Sequence, residues 1–153
     1  MKRLSKLSRM GVRWIAGAAI ILGLAGCSSF EREWKKTMAT PATTSGVQGA
    51  WEGVWLSDVN RHTGRLRCLL TSIDEHTFKA RFHATYAKVI QVGYSVQLAA
   101  VPTATNTLFH GNANLGWIAG GVYEYAGHAT PTNFFSTYRC KYDHGTFELR
   151  RPR

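Results

Sequence analysis

The residue types best suited to acid–base or metal chemistry are scattered along the chain. Six histidines are present: His62, His76, His83, His110, His128 and His144. None stands two or four positions from another, which are the spacings that let one strand or one helix chelate a metal ion. We therefore expect histidines in turns and on surfaces, with no metal site and no cofactor.

The acidic residues likewise form no catalytic arrangement. Asp143 and His144 are adjacent and precede Gly145, which is typical of a tight turn, and neighbouring strand residues point to opposite faces. No Gly-x-Ser-x-Gly motif accompanies the pair. Glycoside hydrolysis needs two facing carboxylates. The other acidic residues of strands or strand ends are Glu52, Asp58, Glu124 and Glu148, and the three glutamates are expected on outer faces. The sequence therefore predicts no catalytic residue and a protein that is not an enzyme.

Residues 1–26 have the composition of an export signal. Five basic residues and no acidic residue precede position 14, an apolar run covers 14–24, and Ala25 and Gly26 lead to Cys27. This order is that of a secretory signal peptide, and the run is shorter than the roughly 20 residues that span a bilayer. Without residues 1–26, 14 basic and 9 acidic residues remain, a net charge of +5 instead of +10. A moderate charge of this size does not indicate nucleic-acid binding.

Leu24-Ala25-Gly26-Cys27 resembles the lipobox of bacterial lipoproteins. The resemblance implies that the Cys27 thiol receives a diacylglyceryl group, that the chain is cut before Cys27, and that the new amino terminus is acylated. Two or more acyl chains hold a protein stably on a membrane. Ser28 stands where Asp would favour the inner membrane, so a host with two membranes is expected to place the protein on the outer one.

Residues 27–48 are predicted to be the lipidated cysteine and a flexible tether, because Ser, Thr, Ala and Gly are frequent there. Within this segment, Phe30 and Trp34 are four residues apart and would share one face of a short helix. The segment could therefore be a foot on the membrane surface or a frayed tether.

The domain at 49–153 shows a hydrophobic alternation of period two, typical of strands. Eight stretches with this pattern are separated by turn residues: 51–59, 65–73, 77–86, 88–101, 107–115, 120–129, 134–142 and 146–151. Gly93 indicates a bulge in the fourth. Evenly spaced short strands predict an all-β fold, an eight-stranded antiparallel up-and-down barrel whose closure removes exposed edges. A Greek-key sandwich is the alternative.

Gly53-Val54-Trp55 resembles the G-x-W motif that opens the first strand of lipocalins and avidins, which are calycin-like barrels. Arg150 and Arg151 stand where lipocalins often carry an arginine over that tryptophan, which implies a cation–π lid, assigned to Trp55 and Arg150. The domain is shorter than a typical lipocalin and shows no C-terminal helix. Through "LGWIAGGVYEY" and "YDHGTFEL" it also resembles an uncharacterised group of small bacterial lipoproteins, which implies no activity.

If Cys27 carries lipid, Cys68 and Cys140 are the remaining thiols. Alternation places both inside the barrel, and an oxidising compartment favours a disulfide between them. Closing a loop of about 70 residues would stabilise the fold by about 4 kcal/mol. Strands two and seven are not neighbours in a meander, so two buried free thiols are the alternative.

Two functions fit such a domain. In a binding module, the interior takes a small apolar or lipid-like ligand, and the predicted lining residues are Trp51, Trp55, Phe82 and Tyr125. In a structural or protein-interaction module the core is filled, as the large–small alternation of the third strand favours. The partner would then be an envelope protein. One form is an enzyme-inhibitor-like barrel, because residues 119–123 resemble the Ser-Gly-x-x-Tyr loop of lysozyme-inhibiting barrels but lack its serine.

Overall fold

Eight antiparallel strands form one closed barrel in the computed structural model of the chain, which describes residues 29–40 and 46–153. The strands are β1 (Gly49–Ser57), β2 (Thr63–Ser72), β3 (Thr77–Tyr86), β4 (Ile90–Pro102), β5 (Thr107–Asn114), β6 (Val122–Ala129), β7 (Asn133–Arg139) and β8 (His144–Arg150). Each strand pairs with the next, and β8 returns to β1. The predicted up-and-down barrel is therefore confirmed, and the sandwich is excluded.

The two ends of the barrel are built from different segments. At the end called here the closed end, 46–48, 151–153 and three strand connections meet. At the opposite end, called the loop end, the four other connections lie: 58–62, 87–89, 115–121 and 140–143. A short 3-10 helix, Trp117–Ala119, lies in the third of these.

The side chains of alternate strand residues fill the interior, as period two requires. Buried apolar residues from all eight strands form one cluster, in which Trp51, Phe82 and Phe134 are the largest fully buried side chains. The backbones of β1 and β8 approach closely: a Cβ on Gly145 would lie 1.9 Å from the Leu56 carbonyl oxygen. Only glycine fits there, because any side chain would force the two strands apart.

The β3–β4 hairpin is longer than its neighbours. Its ladder runs without interruption from Thr77↔Ala99 to Tyr86↔Ile90, so the bulge predicted at Gly93 is wrong. The ladder between β4 and β5 begins only at Gln97. The loop-end half of β4 therefore pairs with β3 alone, and the hairpin extends past β5.

Residues 29–39 form a helix, α1, that packs on the outer wall of the barrel. Phe30 and Trp34 share one face, as their spacing indicates, and both are buried against Ala50 and Leu69. This part of the predicted tether is therefore an ordered, docked element. Its apolar face covers the barrel, so it does not serve as a foot on a membrane.

The contact between α1 and the wall combines charge and aromatic stacking. Arg67 pairs with Glu31, and its guanidinium carbon lies 5.2 Å from the ring centroid of Phe30 and 5.1 Å from that of Trp34. Arg81 pairs with Glu33. The ring of His83 stacks on Phe30 at 4.9 Å and is only 3% exposed. The prediction of a surface histidine is therefore wrong for His83, which α1 covers.

Candidate functional sites in the barrel and on its wall

The four residues predicted to line the interior all point inward. Trp51 lies near the closed end, Phe82 and Tyr125 lie in the middle, and Trp55 lies toward the loop end. The Trp55 indole donates a hydrogen bond to the Thr85 carbonyl at 3.1 Å. The side chains of these four residues point into the barrel as predicted. Whether a ligand fits beside them depends on how tightly the interior is packed.

Aromatic rings occupy the barrel interior in a continuous stack. Phe82 packs against Phe147 at 5.4 Å and against Tyr125 at 6.2 Å between ring centroids. Phe109 and Phe134 stack at 4.7 Å. Centroid spacings of 4.5–7 Å are those of rings in direct contact. The interior is thus a packed core, which an eight-stranded barrel can fill with side chains alone.

The arginine lid exists, but other residues form it. The Arg151 guanidinium lies 3.9 Å from the ring centroid of Trp51. It donates hydrogen bonds to the carbonyls of Gly46 and Gln48 at 2.7 Å and of Pro131 at 2.9 Å. Burial lowers the pKa of this arginine. The lid closes one end of the barrel and ties the start of β1 to the chain terminus.

The assignment of the lid to Trp55 and Arg150 is therefore wrong. Trp55 lies toward the opposite end of β1, where it stacks on Tyr86. Arg150 is exposed and pairs in the ladder with Glu52. A second G-x-W spacing, Gly49-Ala50-Trp51, begins β1 and supplies the lid tryptophan.

Four tyrosines gather in the loop-end half of the interior: Tyr94, Tyr123, Tyr125 and Tyr138. Tyr138 donates a hydrogen bond to the Asp143 carboxylate at 3.1 Å, and Ser57 donates to the same group at 2.6 Å. Burial is the main cause that raises the pKa of each of the four hydroxyls. They therefore stay protonated at neutral pH and are able to donate hydrogen bonds.

The Tyr125 hydroxyl has an unusual environment in this group. It is buried, and no described residue meets hydrogen-bond geometry with it. The Tyr94 hydroxyl affects its pKa without reaching that geometry. A buried polar group left in this state costs about 1–3 kcal/mol.

Cys68 and Cys140 are both free thiols, so the disulfide considered for them is not formed. Cys68 is fully buried in the middle of β2, between Trp51 and Phe82 of the neighbouring strands, and burial raises its pKa. Cys140 lies in the turn after β7, close to the Tyr123 hydroxyl. The two sulfurs thus have separate surroundings. The alternative of two buried free thiols holds for Cys68, whereas Cys140 is half-buried in a turn and not inside the barrel.

A polar groove crosses the outer wall from β5 to β8, with a volume of about 590 Å³. Its centre is a row of outward side chains in ladder register, Asn112↔Glu124↔Arg139↔His144, with His110 beside it. Both signs of charge and two imidazoles are present. Such a row can recognise a polar surface, but it holds no nucleophile with an adjacent base.

The described part of the chain shows neither a metal-binding cluster nor a membrane-spanning helix. No three His, Cys, Asp or Glu side chains come together there in a way that could hold a metal ion. None of the helices in the described residues is long and apolar enough to cross a bilayer. Residues 1–26 and Cys27 lie outside the described residues.

Comparison with known proteins adds no relative. No family model matches the chain, and no curated protein matches it. The barrel and its surfaces are therefore what indicate function.

Proposed function

We propose that the protein is a lipid-anchored envelope protein whose barrel is a structural and protein-interaction module. The filled interior supports this assignment over a ligand carrier. A pocket for a small organic ligand typically has a volume of about 300 Å³ or more. Such a ligand would have to displace Phe82 and Tyr125 from the middle of the core and would be blocked at one end by Arg151.

The anchor in this proposal is the thioether lipid on Cys27, supported by the lipobox pattern. Ser29, two residues further on, begins the described part of α1, and its hydroxyl accepts a hydrogen bond from Arg81. Two residues span at most about 7 Å. The docked helix would hold the barrel close to the membrane. In a host with two membranes, the outer membrane is the proposed location.

Anchoring is tested by Cys27→Ser, with Cys140→Ser as the matched control. We expect Cys27→Ser to abolish labelling with a palmitate analogue, because the acceptor thiol is lost. Cys140→Ser should keep the label, since that thiol lies within the folded domain. Equal labelling of both variants would refute the anchor at Cys27.

The polar groove is the surface proposed to meet an envelope protein. It offers hydrogen-bonding groups of both charges on a rigid sheet, which is typical of the polar part of an interface. A photo-crosslinking amino acid in place of Asn112 should give a discrete product in intact envelopes. The same residue in place of Lys79, exposed on the outer face of β3, should not. Equal products at both positions, or none at Asn112, would overturn this surface.

A second candidate, a small polar molecule bound among the tyrosines, is favoured by the Tyr125 hydroxyl alone. If nothing occupies that site, Tyr125→Phe should be neutral or stabilise the protein by about 1 kcal/mol, because an unpaired buried hydroxyl is removed. Tyr138→Phe should destabilise it by about 1 kcal/mol, because the bond to Asp143 is lost. Chemical denaturation measures both. A Tyr125→Phe variant that is destabilised while Tyr94→Phe is not would favour the bound molecule, because loss of a Tyr94–Tyr125 interaction would destabilise both variants.

A further inference from the structure

Exposed apolar side chains concentrate at the loop end. Nine of the fourteen large apolar side chains exposed in the described residues lie there. Three separate connections carry Val89, Trp117, Ile118 and Tyr142, and the start of β4 adds Ile90 and Val92. Trp117 is 87% exposed and Ile118 is 84% exposed. Exposed apolar side chains gathered at one end of a protein indicate a binding role, whereas singly scattered ones need no explanation.

The β3–β4 hairpin carries one of these apolar tips in a costly backbone conformation. Ala87 and Lys88 lie in its three-residue connection, 87–89, with φ of 48° and 67°. Asn-Gly or Gly-Gly normally fills such turns, because other residues are strained at positive φ. The turn thus has a lysine at its tip, directly before the 79% exposed Val89. Glycine at position 88 would adopt the positive φ without strain.

The charge around these tips is positive. Lys88 and Lys141 are exposed next to Val89 and Tyr142, respectively, and the Lys141 ammonium lies 5.1 Å from the Tyr142 ring centroid. The acidic groups of the loop end are engaged elsewhere: Asp58 pairs with Arg61 at 3.6 Å. Asp143 accepts hydrogen bonds from the barrel core. The connections of the loop end thus carry three basic residues (Arg61, Lys88 and Lys141) and two acidic ones (Asp58 and Asp143), a net charge of +1.

We propose that the loop end docks on an anionic bilayer surface, with Trp117 and Val89 below the headgroups and Lys88 and Lys141 at their level. Tryptophan, tyrosine and lysine at the tips of separate loops match the interface of a membrane, where aromatic rings settle and lysines reach the phosphates. A protein interface instead concentrates its binding energy in a few side chains clustered at its centre, whereas these tips stand on three connections.

The position of α1 agrees with this orientation. Phe30 stacks on His83, which is three residues, or about 10 Å, before the end of β3. An acyl group on Cys27 would thus lie on the flank of the loop-end half, beside the same hairpin. This last argument rests on the proposed acylation of Cys27, whereas the apolar and cationic loop end does not depend on it.

The test measures quenching of tryptophan emission by brominated acyl chains. The full-length protein purified from membranes is reconstituted in vesicles of phosphatidylcholine and phosphatidylglycerol. The signal of Trp117 is the difference between the parent and Trp117→Phe. As the matched control, Leu108→Trp is added to Trp117→Phe, because Leu108 is an exposed residue of the closed end. We expect quenching of Trp117 and none at position 108.

Equal quenching at both positions, or quenching at 108 alone, would overturn the proposed orientation. An unquenched Trp117 would overturn membrane docking. The apolar loop end would then have to be covered by a protein in intact envelopes. Lys88→Gly removes the positive-φ strain and so should fold at least as well as the parent. It should shift the docked-to-undocked ratio about five-fold toward undocked, and an unchanged ratio would contradict the proposed role of the charge.

The mass of the reconstituted protein separates this proposal from that of the anchor. Acylated protein with an unquenched Trp117 would refute docking and leave the anchor intact. Unacylated protein with a quenched Trp117 would refute the anchor and leave docking intact.

Discussion

The docking of α1 gives the sharpest mutational prediction. Phe30 is 3% exposed, and its ring touches both His83 and Arg67 on the wall. Truncating a buried phenylalanine to alanine costs about 3–5 kcal/mol in protein cores. Because α1 lies outside the barrel and can relax, we take the lower value, about 3 kcal/mol, for Phe30→Ala. That loss is roughly a hundredfold in the ratio of docked to undocked helix.

Hydrogen exchange followed by mass spectrometry measures this loss. In Phe30→Ala, the amides of 29–39 should lose protection, whereas the barrel ladders should keep theirs, because the barrel closes without the helix. Met38→Ala is the matched control on the same helix, since Met38 is 41% exposed. Unchanged protection in Phe30→Ala, or equal effects of the two variants, would refute the packing described for α1.

Three further predictions concern the lid, the β1–β8 seam and pH. Arg151→Lys should destabilise the protein by about 2 kcal/mol in urea unfolding, because an ammonium cannot make the same planar set of hydrogen bonds; an unchanged midpoint would contradict the lid. Gly145→Ala should cost at least about 3 kcal/mol of folding free energy or prevent folding. Gly93→Ala, whose Cβ would meet nothing closer than 3.8 Å, should be nearly neutral. Similar losses in the two variants would contradict the close approach of β1 and β8. Burial, and next the charge of Arg67, lower the pKa of His83. Protons therefore bind the undocked form more readily, and docking should weaken as the pH falls below about 6.5. The NMR signals of α1 should report this change, and His83→Gln should remove this pH dependence; a parent helix unaffected by acid would contradict it.

The barrel could be predicted from sequence because several strands alternate between apolar and polar residues, β3 most clearly. In β3, Phe78, Ala80 and Phe82 face inward, while Lys79 and Arg81 face outward. The connections between the strands are short, so consecutive strands are expected to be neighbours, and few topologies are possible. The direction of every predicted lining residue followed from the same alternation.

The docked helix could not be predicted as easily, because the barrel face to which it binds carries polar residues that are typical of a solvent-exposed surface. Arg67, Arg81 and His83 are polar residues on the outer faces of β2 and β3. Only the complementary acids on α1 show that they are covered. One signal was present in the sequence: Leu69 is apolar at an outward position, where a polar residue would be expected.

The lid was assigned to the wrong pair because period two cannot distinguish positions four residues apart. Trp51 and Trp55 both follow a G-x spacing and both face inward. The register between β1 and β8 decides which tryptophan the arginine reaches: Glu52 pairs with Arg150 and Trp55 pairs with Phe147. Arg151, next after the last residue of β8, continues the inward face and reaches Trp51.

Native mass spectrometry of the protein gently extracted from its membrane tests the central claim most directly. A lipid-anchored barrel with a filled interior predicts the mass of residues 27–153 plus the acyl groups on Cys27, with no further molecule lost on activation. A chain that retains residues 1–26 would contradict the anchor. A small molecule that co-purifies in a fixed ratio and dissociates on activation would contradict the filled interior.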